Sequence, residues 1–141
     1  MHITKFKTFK MIKFRSMVLN ADATGVDSTG NNDQRITSIG KFIRRFKIDE
    51  LPQLVNVLKG EMSLVGPRPH MLKHTSDYSQ VVDDYMIRQF LKPGITGWAQ
   101  INGWRGDTSL EKRIEFDLYY IRNWSLILDF KIMFLTVFRG F

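Results

Sequence analysis

Asp49 and Glu50 stand side by side in "FKIDELPQL", residues 46–54. Arg44, Arg45 and Lys47 come just before them, and Pro52 follows. Adjacent carboxylates have two ordinary uses. At a helix start they complement unpaired backbone N–H groups and the positive end of the macrodipole, so the pair can be a cap. Among cations the same pair can hold Mg²⁺ or attack phosphorus, because a basic pocket binds a phosphate ester while keeping a carboxylate ionised. The local residues leave both uses open.

Three further cations suit phosphate chemistry. Arg68 lies between Pro67 and Pro69, which restrict the backbone on both sides of it. A planar guanidinium presented this way matches a phosphate, although a proline-rich surface turn with a solvated arginine has the same sequence. In "KMIKFRSMV", residues 10–18, Lys13 and Arg15 fall on one face of an alternating strand. That face is either a phosphate contact or ordinary solvated surface. His70 and His74 are four residues apart, but no other zinc-ligand spacing accompanies them.

Composition narrows the chemistry. The 141 residues are 43% hydrophobic, which fits one globular domain with a real core. Lys and Arg number 21 against 14 Asp and Glu, a formal charge of +7, which favours an anionic partner. There is no cysteine, so thiol nucleophiles and disulfides are excluded. The P-loop pattern and the serine-hydrolase elbow are absent from the sequence.

The elements that must position these groups follow from periodicity. Residues 10–18 alternate as a strand, and 20–35 form a polar, Gly-containing loop. In 35–47 the residues Ile36, Ile39, Ile43 and Phe46 mark the apolar side of a helix. A second helix follows over 49–60, with Asp49 as N-cap, Gly60 as stop, and Leu51, Leu54, Val55 and Leu58 as its apolar face. Residues 61–71 read as a loop and 76–91 as a helix, while the glycine-rich 92–107 suits short strands and turns. Thr108 and Glu111 form a capping box for a helix over 109–124. The last helix, from Ser125, is apolar almost all round, although Asp129 and Lys131 interrupt it. Such a helix is buried or lies in a membrane interface. The expected fold is a single α+β domain, mostly helical with a few short strands, its apolar C-terminal helix buried or at a membrane surface.

In combination these segments are recognisable. "KFRSM" (13–17), "DQRITSIGKFIRRFKIDELPQLVNVLKGEMSLVGPRPH" (33–70), "KPGITGWAQINGWRG" (92–106) and "EFDLYYIRNWSLILDFKIMFLTVFRGF" (115–141) resemble the bacterial sugar transferases, the monotopic polyprenyl-phosphate phosphoglycosyl transferases. The similarity covers nearly the whole chain after about residue 9, in order. It looks closest to the branch that transfers glucose or galactose 1-phosphate in exopolysaccharide synthesis. The resemblance implies transfer of a sugar 1-phosphate from a UDP-sugar to undecaprenyl phosphate, with release of UMP, at the cytoplasmic face of the bacterial inner membrane. It implies Mg²⁺ as cofactor, held at Asp49 and Glu50. Asp49 is implied as the nucleophile, with Glu50 supporting the metal or the acceptor phosphate. Arg44, Arg68 and Lys13 match family phosphate-site positions, and Arg15 accompanies Lys13.

Family members carry a hydrophobic N-terminal segment ahead of "KFRSM". Residues 1–141 therefore read as a catalytic domain truncated at its N terminus relative to the family. Two rivals remain at this level. One is an inactive remnant that binds a membrane or a partner chain. The other is a basic nucleic-acid-binding protein, disfavoured because charge does not account for the GPRP and PGITGW segments.

Overall fold

The computed structural model describes residues 8–21, 33–70, 85–106 and 108–139. The described chain forms helix α1 (Ser38–Arg45), a 3-10 turn (Ile48–Glu50), helix α2 (Gln53–Leu58), strand β1 (Ser63–Val65), a 3-10 helix (Tyr85–Phe90), strand β2 (Gly94–Thr96), and helices α3 (Trp98–Ile101), α4 (Leu110–Arg122) and α5 (Leu126–Arg139). The expected α+β class, mostly helical with short strands, is what the chain adopts.

β1 and β2 pair in parallel, with Ser63 opposite Gly94 and Val65 opposite Thr96. This ribbon is too small to bury its own faces and rests on the C-terminal helices. Val65, Ile101, Tyr120 and Ile132 form the buried core, and Trp98, Ile121, Leu128, Met133 and Leu135 pack around it. Thr96 and Thr136 share a hydroxyl hydrogen bond of 2.7 Å, which ties β2 to α5.

α1 starts where Thr37 Oγ1 accepts the Gly40 N–H at 2.9 Å, an ordinary side-chain N-cap. Arg44 and Arg45 close its last turn, where cations complement the helix dipole. Gly40 lies hard against the preceding segment: a Cβ there would come 1.9 Å from the Ser16 carbonyl oxygen. Only glycine permits that approach.

The structure departs from the sequence pattern in several places. Residues 10–18 are not a regular strand; they make one antiparallel bridge, Met17 to Ile36. Side-chain hydrogen bonds hold much of this segment, so nothing imposes a pleat. The second helix begins later than its charges suggested. Asp49 lies inside the 3-10 turn, and Pro52 occupies the α2 N-cap without a side-chain bond. The stop at Gly60 is as expected, with φ +74°. α4 is capped by Ser109, whose hydroxyl accepts the Lys112 N–H, and not by Thr108. "SLV" in the expected loop 61–71 is β1, which pairs because β2 offers a matching edge.

The apolar stripes of α1 and α2 face outward. Ile39, Phe46, Leu51, Leu54, Val55 and Leu58 are exposed, whereas Gln53 and Asn56 are the buried side of α2. Periodicity shows which side of a helix is apolar, not what covers it. Much of the expected helix over 76–91, most of the loop over 20–35, and His74 lie outside the described residues; Tyr85–Phe90 is a 3-10 helix.

α5 resolves the two charges that interrupt its apolar run. Asp129 accepts from the Tyr120 hydroxyl at 2.7 Å and from Trp124 Nε1 at 3.2 Å. Lys131 Nζ sits over the Trp98 ring, 5.5 Å from its centroid. Leu126, Ile127, Phe130, Phe134, Val137 and Phe138 are exposed. At 100° per residue they fall on one side of the helix, an uninterrupted apolar face.

No helix among the described residues is long and apolar enough to cross a membrane.

Candidate active site

The acidic pair sits in a chain reversal. Lys47 ends α1 in the left-handed region, φ 53°, and its N–H bonds to the Arg44 carbonyl at 3.1 Å. A lysine in that conformation is uncommon and mildly strained. The reversal directs Asp49 and Glu50 inward, and both are 8% exposed. Asp49, expected as the N-cap of the second helix, is instead buried with Glu50 inside the turn.

Glu50 is the anchored member. Its Oε1 accepts from Arg68 Nη2 at 2.6 Å and from Lys13 Nζ at 3.3 Å. Burial alone would push this carboxyl up, but Arg68 and then Lys13 outweigh it and hold it down at about 2. Glu50 is therefore ionised throughout the neutral range. Asp49 goes the other way. Burial raises its carboxyl above the usual range, and the adjacent Glu50 charge adds to this, against weaker opposing effects of Lys13 and Arg44. Asp49 forms no salt bridge among the described residues. Two chemically similar carboxylates thus have opposite environments.

Backbone bonds bring the basic residues here. The Phe14 N–H donates to the Asp49 carbonyl at 3.0 Å, so the segment carrying Lys13 is stitched to the dyad. Asn56, fully buried, extends the stitching. Its Oδ1 accepts from the Ile12 N–H at 3.0 Å, and its Nδ2 donates to the Lys10 carbonyl at 2.9 Å and to Glu61 Oε2 at 2.7 Å. The amide behaves as a length of neighbouring strand. Arg44 Nε donates to Ser16 Oγ at 2.8 Å, which orients the guanidinium whose charge reaches Asp49.

Of the residues singled out from sequence, Asp49, Glu50, Lys13, Arg44 and Arg68 are brought together. Arg15 is not: it is exposed and makes no salt bridge or hydrogen bond among the described residues. The alternation that paired it with Lys13 has no regular strand beneath it. Arg45 lies over the Phe46 ring, 5.9 Å from its centroid.

Sequence reasoning missed Arg105 and the extent of Lys47's involvement. Burial pushes the Lys47 ammonium down to about 8, helped by Arg105, with Glu50 opposing. The turn after α3 therefore contributes a cation to the basic surround. Gln53 was also missed. It is buried, and its Nε2 has no hydrogen-bond partner among the described residues. Its place three residues past Glu50 was the available signal.

The donor set fits Mg²⁺ in one particular way. Mg²⁺ favours hard oxygens and usually takes one or two carboxylates, with substrate phosphates and water completing its shell. Asp49 and Glu50 provide two carboxylates, and Glu50 Oε2 carries no partner among the described residues. Among those residues no three His, Asp or Glu side chains gather as an all-protein cage. A cation shared with a phosphate ligand would also offset the burial and like charge that disfavour ionised Asp49.

Comparison with known proteins identifies the chain's family. Residues 3–141 match the family model described as bacterial sugar transferase. The chain is 55% identical over 139 residues to the UDP-glucose:undecaprenyl-phosphate glucose-1-phosphate transferase of Escherichia coli K12, covering 96% of this chain and 30% of that protein. It is 51% identical over 138 residues to the protein of the same name in Xanthomonas campestris, covering 94% of this chain and 28% of that one. It is 44% identical over 133 residues to the UDP-N-acetylgalactosamine-undecaprenyl-phosphate N-acetylgalactosaminephosphotransferase of Aeromonas hydrophila, covering 93% and 31% respectively. The chain thus spans less than a third of the length of these relatives.

Proposed function

The chain belongs to the bacterial sugar transferase family, and on that premise we propose that it transfers a sugar 1-phosphate from a UDP-sugar to undecaprenyl phosphate with Asp49 as nucleophile. The observation that carries this is the asymmetry of the dyad. Glu50 is neutralised by Arg68 and Lys13, while Asp49 beside it is buried and tied to no cation by a salt bridge among the described residues. A carboxylate whose charge is little stabilised by its surroundings is the stronger nucleophile.

The reaction has two displacements. An Asp49 carboxylate oxygen attacks the phosphorus that bears the sugar, forming an acyl phosphate. The bond from that phosphorus to the bridging oxygen breaks, and its electron pair leaves with UMP. UMP is a stable phosphate anion, so no general acid is needed. An oxygen of undecaprenyl phosphate then attacks the same phosphorus, and the Asp49 carboxylate is released. Each step brings anions together, so electrostatic stabilisation is the chief requirement. Arg44, Arg68, Lys13 and Lys47 supply it from this chain. Mg²⁺, held by Asp49, Glu50 and substrate phosphates, would add Lewis-acid charge at the phosphoryl oxygens.

The same reading has the protein work at the cytoplasmic face of the bacterial inner membrane. It is supported by the outward apolar face of α5 and by the exposed leucines of α2. Glucose is the sugar we propose, in keeping with the activity for which relatives at 50–55% identity are named. The test is to add labelled UDP-glucose and Mg²⁺ to the protein in vesicles that carry undecaprenyl phosphate. Labelled lipid and UMP in equal amounts support the reading. Release of free glucose 1-phosphate without labelled lipid sinks it.

A further inference from the structure

Arg88 is a buried cation that the proposed chemistry does not use. It is 5% exposed, and its partner Asp117 is 3% exposed. Its guanidinium joins three parts of the chain. Nε donates to Asp117 Oδ2 on α4 at 2.8 Å, and Nη2 lies 2.8 Å from the same oxygen. Nη2 also donates to the Arg68 carbonyl at 2.9 Å. Nη1 lies 3.1 Å from His70 Nδ1, which is itself 2.8 Å from the Tyr85 hydroxyl. The guanidinium carbon sits 5.3 Å from the centre of the Tyr85 ring.

A buried ion pair is a weak source of stability, because desolvation offsets most of its attraction. An apolar pair of similar volume would fill the same space. It could not donate an N–H to the carbonyl of Arg68. That carbonyl precedes Pro69 and follows Pro67, in a stretch with few backbone choices. Holding it selects the direction in which the Arg68 side chain leaves the chain. The far end of that side chain meets Glu50 Oε1 at 2.6 Å. The contacts thus run without a break from Asp117 through Arg88 and Arg68 to Glu50.

We propose that Arg88, fixed by Asp117, is a positioning residue that aims the Arg68 guanidinium at Glu50. Its consequence for transfer rests on the function proposed above; its geometry does not. Arg88→Lys is the discriminating change. Lysine can still pair with Asp117, but it lacks the fork that reaches the Arg68 carbonyl and His70 at the same time.

The test follows the Arg68 side chain by ¹⁵N NMR at pH 7, in the full chain, with circular dichroism as the check on folding. In the wild type the Arg68 guanidinium is held by Glu50 at 2.6 Å, so rotation about its Nε–Cζ bond should be slow and its Nη signals resolved. Arg88→Lys should speed this rotation and average the signals, as Glu50→Gln should by removing the charge that holds them. Asp117→Asn, which keeps an oxygen to accept from Arg88 Nε, is the second variant and should give a smaller effect. A folded Arg88→Lys or Asp117→Asn protein with the Arg68 signals unchanged would overturn the proposal. Transfer assays separate it from the function. Arg88→Lys should lower kcat on the order of 10- to 100-fold, with no further loss in the Arg68→Ala background. Losses that multiply overturn the positioning role. A wild type in which the Arg68 signals and those of the variants behave as described, but which transfers no sugar, overturns the function and leaves the positioning intact.

Discussion

Arg68 Nη2 meets Glu50 Oε1 at 2.6 Å, although eighteen residues separate the two in sequence. The same oxygen takes Lys13 Nζ from a third segment, at 3.3 Å. One carboxylate oxygen is therefore where the N-terminal segment, the acidic turn and the GPRP loop converge. Arg68→Ala removes the shorter contact and a cation from the pocket. It should lower kcat/KM for sugar-phosphate transfer about 100- to 1000-fold. Arg68→Lys should recover only part of this, because an ammonium lacks the planar fork. Steady-state UMP release checks both variants.

Asp49→Asn should abolish transfer and at the same time stabilise the fold. Burial and the Glu50 charge both disfavour ionised Asp49, so a neutral isostere relieves a cost held in the native state. The expected gain is about 0.5–2 kcal/mol at pH 7. Calorimetry should show a Tm higher by about 2–4 °C per kcal/mol. A lower Tm would mean that Asp49 is not disfavoured where it sits.

Acid stability carries the opposite sign at Glu50. Its carboxyl is lowered in the folded chain from 4.5 to about 2. The stability it contributes is fully present above pH 4.5 and is lost as pH falls toward about 2. The upper limit is on the order of 3 kcal/mol, since a tenfold change in proton affinity corresponds to about 1.4 kcal/mol. Asp49, raised in the fold, works against this loss as it takes up its proton. Urea titrations between about pH 4.5 and 2.5 should show Glu50→Gln flattening the fall in stability, and Asp49→Asn steepening it.

Much of this site was legible in the sequence because its charged residues are clustered. Asp49, Glu50 and Arg44 share one stretch, and Arg68 is framed by two prolines. The α+β class, α4 and α5 followed from periodicity and turn residues. What was not legible depends on contacts between distant segments. Asn56 was invisible because nothing local marks an asparagine that pairs with the backbone of residues 10–12. Arg88 and Asp117 each look like ordinary helix-surface charges until the chain folds them together. The strand expected over 10–18 failed because alternation describes a face, and among the described residues no neighbouring strand uses it. The apolar stripes of α1 and α2 were read correctly as stripes, but their exposure depends on what lies outside the helix.

Asn56 should be costly to replace. Asn56→Leu removes the partners of the Ile12 N–H and the Lys10 carbonyl and loosens the segment that delivers Lys13. The expected loss is about 2–4 kcal/mol of stability, from two backbone groups left unsatisfied. Denaturant unfolding measures it. A loss below about 0.5 kcal/mol would show that water replaces the amide without penalty.

The outward face of α5 should bind lipid. Phe130 and Phe134 are both exposed, and Phe130→Glu with Phe134→Glu places two charges on the apolar surface without touching the core. Co-sedimentation with vesicles containing phosphatidylglycerol should fall roughly tenfold or more, while circular dichroism stays unchanged. Unaltered sedimentation would move the membrane contact elsewhere.

The central claim is that Asp49 forms a bond to phosphorus. The most direct measurement mixes the protein with UDP-glucose and Mg²⁺ in the absence of undecaprenyl phosphate, quenches rapidly, and maps the digested chain by mass spectrometry. One hexose phosphate is expected on the peptide carrying Asp49, removed when undecaprenyl phosphate is added and absent from Asp49→Asn. A hexose phosphate on any other residue, or lipid-linked sugar made at the wild-type rate by Asp49→Asn, would contradict it.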